Sequence, residues 1–219
     1  MVNKNREKLK KEGENFINYH LLPYLKLNYP HLVSKLLIGL SGSVIYGEPD
    51  ENSDIDIDII INDIDLERDD YINLGEDIKK IIDRTLYEDI DISILPLSNI
   101  GVFDIKDGDI NSNLLDSGYI LENIKIVYTS NNWFNKLREN IRKKIFGNLE
   151  NRLRNTLYFW IYSSINFISN VKPLLNRGDF VSFDSFFYEC LLNLSKFVYL
   201  INNEFFPPKK WFFYNIKKL

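Results

Sequence analysis

The sequence predicts an α+β protein: a small mixed sheet with its helices over residues 1–130, followed by a helical bundle over residues 131–219. Three observations carry this. Residues 55–61 and 90–95 each alternate isoleucine or leucine with acidic and polar residues, the period-two signature of a strand, and a stretch with apolar residues at near-helical intervals lies between them. From Trp133 onward the chain changes to long amphipathic segments interrupted at Pro173 and at Arg177-Gly178-Asp179. Charge divides at the same place. Residues 1–130 carry 13 Lys and Arg against 25 Asp and Glu, a net −12, and residues 131–219 carry 14 against 6, a net +8, giving the −4 of the whole chain. The two halves are electrostatic complements, either as two differently solvated surfaces or as a basic wall facing an acidic one across a cleft.

Taken in order, residues 3–27 read as helical, with Phe16, Ile17, Leu21 and Leu22 at helical spacing and Pro23 as a kink or break. Leu36 to Leu40 reads as a short buried strand. Ser41-Gly42-Ser43 then turns the chain into a single helical turn ending at Gly47. Free amides at a helix start, a glycine that admits close backbone approach and a neighbouring serine hydroxyl together make a seat for phosphate oxygens. After the turn Glu48-Pro49-Asp50-Glu51-Asn52 comes Ser53-Asp54-Ile55-Asp56-Ile57-Asp58-Ile59-Ile60-Ile61. In a strand this sends Asp54, Asp56 and Asp58 to one face and the isoleucines to the other. Acids two residues apart on a strand lie about 6.5–7 Å from each other, so each pair repels by roughly 2.4 kcal/mol at an effective dielectric of about 20. A hard divalent cation carrying a phosphate-rich substrate is the natural counter-charge.

Residues 66–86, with Tyr71, Leu74, Ile78, Ile81 and Ile82 among acids and lysines, read as a surface helix, and Ile90 to Leu95 as the next strand. Residues 101–110 read as a hairpin around Asp107-Gly108; Asp104, Asp107 and Asp109 lack the closing glutamate of a calcium loop, and turn chemistry accounts for them. Leu114 to Gly118 reads as a helix closing on its glycine, and residues 119–128 as a last strand. The bundle helices are expected over residues 133–153, 157–171 and 183–203, most of their aromatics being core. In the tail, Pro207-Pro208 starts a short helix whose first turn carries Lys209 and Lys210, an unfavourable place for cations.

Composition excludes several classes. With 45% hydrophobic and 14% aromatic residues, the 219-residue chain holds enough for one sizeable core or two small domains, so a folded globular protein and not disorder is expected. The single cysteine, Cys190, excludes an internal disulfide and reads as a small core residue. His20 and His31, the two histidines, stand at no metal-ligand spacing; both read as structural, and a His-rich zinc site is excluded. The polar N-terminal stretch lacks a signal-type apolar segment, and no run approaches the roughly 18 apolar residues of a membrane span. A cytoplasmic protein without a membrane partner is expected. The net acidic chain argues against a large nucleic acid as the main partner and leaves a short RNA end open.

Gly42-Ser43, Gly47 and Ser53-Asp54-Ile55-Asp56 resemble the signature of the nucleotidyltransferase superfamily with the DNA polymerase beta-like fold. The resemblance covers roughly residues 36–95 and implies that Gly42 and Ser43 bind the outer phosphates of a nucleoside triphosphate while Asp54 and Asp56 bind Mg²⁺. It also implies a third acid in a hydrophobic-acid-hydrophobic frame on a later strand. Ile90-Asp91-Ile92 fits, which makes Asp91 the third metal ligand or the base, with Asp89 as the reserve choice. Where many small members carry a basic residue just before the second glycine, this chain has Tyr46. Lys209 or Lys210 resembles the lysine that helical domains of the small-molecule enzymes turn toward the nucleotide. Chain size and the trailing bundle resemble aminoglycoside- and lincosamide-type antibiotic nucleotidyltransferases. That likeness implies transfer of a nucleoside monophosphate, AMP from ATP first among them, to a hydroxyl of a small acceptor, with two Mg²⁺ ions, release of pyrophosphate and a role in antibiotic resistance. Two other readings stand beside it: an antitoxin-like nucleotidyltransferase that modifies a protein partner, and a catalytically inactive binding module. The absence of histidine from residues 131–219 excludes a helical ribonuclease whose motif requires one.

Overall fold

The computed structural model describes residues 4–47, 49–50, 52–85, 87, 89–100 and 112–217. The hairpin and acid turn expected over residues 101–110 lie outside the described residues. Two compact units are present, one within Met1–Asp104 and Ile120–Glu139, the other within Ile105–Tyr119 and Asn140–Leu219.

The first unit is built on a four-stranded mixed sheet. It opens with helix α1 (Lys4–Phe16), a π-turn (Ile17–Leu21), α2 (Leu22–Asn28) and α3 (Pro30–Val33). Pro23 does not break the helix. A proline lacks the amide that would bond back one turn, and its ring crowds the carbonyl four residues earlier. Widening the turn before it, with Leu22 N–H donating to Ile17 O, resolves both problems and keeps the rod continuous. Strand β1 (Leu36–Leu40) then enters α4 (Gly42–Tyr46), capped at its C-terminus by Gly47. Strand β2 (Ile55–Ile61) follows, then a 3₁₀ turn (Arg68–Asp70), α5 (Leu74–Ile82) and β3 (Ile90–Pro96). Only Leu74–Ile82 of the longer helix expected over residues 66–86 is α-helical, because residues 67–70 close a reciprocal capping box around the 3₁₀ turn instead.

The strand order is β3-β2-β1-β4, with β4 being Lys125–Thr129; β1 pairs antiparallel with β2 and β4, and β2 pairs parallel with β3. One face of the sheet is apolar. Ile55, Ile57, Ile59 and Ile61 join Leu36, Ile38 and Leu40 in a core that Phe16, Ile17, Leu21, Leu25, Leu74 and Ile78 close from the helical side. Burying the four isoleucines stabilises the unit by roughly 8 kcal/mol. Their burial outweighs the roughly 5 kcal/mol of repulsion among the three acids on the opposite face, so β2 forms with its acids aligned.

Between the last two strands runs α6 (Ser112–Asn123), which passes through Gly118 rather than ending there. A Cβ at residue 118 would lie 2.4 Å from the Phe205 ring. The glycine admits an aromatic ring, and a glycine of that kind cannot be told from a cap by its neighbours in sequence.

The second unit contains α7 (Trp133–Phe146) in its later part, then α8 (Leu149–Asn166), a π-turn (Phe167–Val171), α9 (Lys172–Arg177) and α10 (Phe180–Ile201). The helix break expected between residues 153 and 157 falls instead at Gly147-Asn148. Pro173 is absorbed as Pro23 is, with Lys172 N–H donating to Phe167 O across a π-turn, so α8 and α9 form one rod. The turn into α10 does follow the sequence. Gly178 adopts the left-handed conformation (φ +73°), and Asp179 caps the next helix by accepting from Ser182 N–H at 3.1 Å. Cys190 is buried, its carbonyl accepting from the Ser163 hydroxyl at 2.9 Å, as expected of a core residue. A 3₁₀ turn (Lys209–Trp211) and α11 (Phe212–Ile216) end the chain, with Tyr199 OH donating to Phe212 O at 2.9 Å. Among the described residues no helix is long and apolar enough to cross a membrane.

Candidate metal and nucleotide site

Parallel pairing of β2 and β3 starts both strands at the same end of the sheet, and the register sets Asp56 directly beside Asp91. Asp54 precedes β2 on the same face. One carboxylate oxygen from each of Asp54, Asp56 and Asp91 lies within 4.8 Å of the others, Asp54 and Asp91 exposed and Asp56 half-buried. Asp89 is two residues upstream and exposed, with its backbone carbonyl accepting from Ile55 N–H at 2.7 Å as β2 begins.

Three hard oxygens suit a hard ion. Mg²⁺–oxygen bonds of about 2.1 Å put ligand atoms on one ion no more than about 4.2 Å apart, so the observed spread requires only small side-chain rotations. The group fits a divalent cation of the Mg²⁺ or Mn²⁺ type, and its fit is independent of histidine or cysteine.

The turn before α4 is moulded to these acids. Gly42 has φ +58°, and a Cβ there would lie 1.5 Å from Asp56 Oδ2. Residue 42 is therefore a glycine for two reasons, the left-handed backbone and the carboxylate packed against its Cα. Next to it, the Ser43 hydroxyl is buried and has no hydrogen-bond partner among the described residues. Leaving such a group unpaired costs about 1–3 kcal/mol, which a ligand oxygen at this place would recover. Ser53, adjacent to the acids, works on the turn instead: its hydroxyl donates to Asp50 Oδ1 at 2.9 Å, and Asn52 N–H donates to the same oxygen at 3.0 Å. That Asx-type turn delivers the chain into β2.

Two residues matter here beyond what the sequence showed of them, Arg6, which it did not single out, and Asp58, which it placed on the acid face without showing its burial. Arg6 of α1 donates from Nε to Val44 O at 2.7 Å and from Nη2 to Ile45 O at 2.5 Å, capping the last carbonyls of α4 with a cation. Nothing in the sequence links positions 38 and 39 residues apart. Tyr46, where a basic residue was the expectation of the resemblance, is buried in the same turn. Asp58 is the second case. It shares the acid face, is buried, and lies opposite Gly39 in β1. Burial pushes its carboxyl up, the Ser41 hydroxyl pulls it down and the carboxylates of Asp56 and Asp91 push it up again, to about 6 in all.

A consequence for stability follows in the absence of metal. Between the ordinary carboxylate value of 3.8 and about 6, the folded chain keeps the Asp58 proton and the unfolded chain has lost it, so raising pH across that window favours unfolding. The cost, absent below the window, is complete above it at about 3 kcal/mol. Asp58→Asn is expected to match wild type in urea unfolding at pH 3.5 and to be more stable by about that amount at pH 7. Equal stability at both pH values would remove this account.

Of the other residues implied by the resemblance, Lys210 belongs to the second unit and holds its ammonium 5.2 Å from the Trp211 ring centroid, a cation–π contact. The Lys209 side chain lies outside the described residues. A cavity of about 800 Å³ in the first unit shares no residue with the acid group; Tyr19, His20, Tyr24, Arg84 and Tyr87 are among those that line it. His20 there packs its ring against Phe16 and Tyr87 at centroid distances of 5.8 and 5.7 Å, and His31 Nε2 lies 3.4 Å from Asp70 O.

No family model matches the chain, and no curated protein matches it. One solved structure to which it is similar is a crystal structure of a toxin-antitoxin with AMP-PNP, at 19% identity and a TM-score of 0.35, over 58% of this chain and 82% of that one. A likeness of that size assigns neither fold nor activity; the chain carries a group of three aspartates suited to a divalent metal ion, on the polar face of a mixed sheet.

Proposed function

We propose that this chain is a metal-dependent nucleotidyltransferase that moves a nucleoside monophosphate, AMP from ATP first among them, to a hydroxyl of a small acceptor and releases pyrophosphate. The observation that carries the reading is the juxtaposition of Asp54, Asp56 and Asp91 with the Gly42-Ser43 turn, a cation site and an unpaired buried hydroxyl in one place. The sequence resemblance supports the same assignment.

In this mechanism Asp54 and Asp56 would hold Mg²⁺. Ions held there would supply positive charge against the triphosphate oxygens and the departing bridging oxygen. Gly42 lets the backbone approach the outer phosphates closely, and Ser43 donates its hydroxyl to one of their oxygens. Asp91, held by the β2–β3 register, either completes the metal set or takes the acceptor's proton, which a carboxylate does from about 3 Å. Arg6 holds α4 in place through its last carbonyls and so keeps the Gly42-Ser43 turn against Asp56.

The test is pyrophosphate release from ATP and Mg²⁺ in the presence of aminoglycoside and lincosamide acceptors, with mass spectrometry of the acceptor. An adenylylated small molecule is the expected product. Adenylylation confined to a protein added to the reaction would shift the acceptor class, and failure of every triphosphate to bind under any metal condition would overturn the enzyme reading.

A further inference from the structure

Taken by itself, the second unit presents a long apolar face. On α8 and the π-turn that follows it, Leu153, Leu157, Ile161 and Ile168 follow one another at intervals of four and seven and are 50, 48, 47 and 67% exposed. On α10, Phe187, Leu191, Leu194, Val198 and Ile201 alternate steps of four and three, the spacing of a helix seam that faces another helix. The two stripes belong to one surface. Ser164, Phe167 and Ile168 from the first rod and Phe187, Leu191 and Leu194 from the second together line an apolar notch of about 290 Å³. That volume admits a leucine or aromatic side chain from outside.

We infer that this face is a homodimer interface, on which the α8–α10 hairpins of two copies of the chain pack through a two-fold axis into a four-helix bundle. A two-helix hairpin buries only one side of each helix, and doubling it is the least change that encloses the other. Size agrees with a second copy. The 22 residues of α10 span about 33 Å and a helix pair about 20 Å, giving about 650 Å² per chain and about 1,300 Å² in total, within the range of specific interfaces. Charge agrees too. No Asp, Glu, Lys or Arg occurs from residue 155 to residue 171, so a face meeting its own copy brings no like charges together there, although residues 131–219 are strongly basic. A two-fold interface must be self-complementary, and a stripe of Leu, Ile and Phe with a notch for a large apolar side chain meets that condition.

Sedimentation of the full chain is the decisive measurement. Wild type is expected at twice the 25.9 kDa of one chain. Replacing Leu157 and Ile161 together by Glu is expected to raise the dimer dissociation constant at least about thirty-fold, with the far-UV circular dichroism unchanged. Mixing that variant with one carrying Lys at both positions is expected to restore dimers that neither forms alone, a result a misfolded variant cannot produce. Wild type that sediments as a single chain from low to high micromolar concentration overturns the inference. So does a Glu variant that remains dimeric.

Discussion

Asp56→Asn is expected to weaken Mg²⁺-dependent binding of a non-hydrolysable ATP analogue by at least about 100-fold, close to 3 kcal/mol, and to leave the fold more stable than wild type in the absence of metal. Both effects come from one fact. Asp56 is central to the acid group: it is beside Asp91 across the β2–β3 register, within ligand distance of Asp54, and packed against Gly42. Removing its charge takes away a cation ligand and also relieves repulsion from neighbouring carboxylates, worth about 1–2 kcal/mol at this partly exposed position. A residue retained for folding would lose stability on substitution, whereas one retained for a ligand gains it. Calorimetric titration with and without Mg²⁺, together with thermal unfolding in chelator, reads both. Asp89→Asn serves as the control, since its side chain stands outside the group, and it is expected to bind the analogue as wild type does. Unchanged analogue binding in Asp56→Asn would sink the assignment.

Gly42→Ala is expected to be nearly as damaging to binding while leaving every carboxylate in the sequence. Alanine at φ +58° costs about 1–2 kcal/mol, which lowers the melting temperature of a chain this size by several degrees and does not unfold it. The larger effect is steric. A methyl group 1.5 Å from Asp56 Oδ2 has to move, and the carboxylate is the mobile partner. Asp56 is then turned away from Asp54 and Asp91, and the cation site opens. Analogue binding is expected to fall by more than tenfold, and Mg²⁺ protection against thermal unfolding to disappear. If Gly42→Ala keeps both, the close packing of the turn on the acid strand is not what holds the site.

Much of the first unit was legible in the sequence because its signals are local. The alternation in Ile55–Ile61 sets one strand and its two faces, the frame around Asp91 sets another, and Ser41-Gly42-Ser43 with Gly47 brackets one helical turn. Arg177-Gly178-Asp179 names its own turn, since the left-handed glycine and the aspartate cap act within three residues. Proline and glycine elsewhere were misleading for a shared reason. Pro23 and Pro173 read as breaks, but a rod with enough buried contacts tolerates a π-turn. Gly118 read as a cap, but Phe205 approaches it from 87 residues away.

By itself, then, the sequence determined which residues are candidates for chemistry and which face of each strand they occupy, because period-two and period-3.6 patterns follow from backbone geometry alone. Tertiary structure decided what those residues meet. The parallel register chose Asp91 over Asp89 as neighbour of Asp56, and packing buried Asp58 and left the Ser43 hydroxyl without a partner. It also brought Arg6 onto the end of α4 and left the long stripe on α8 and α10 facing outward. These are contacts between residues tens of positions apart, set by the closing of a core, and no local pattern encodes them.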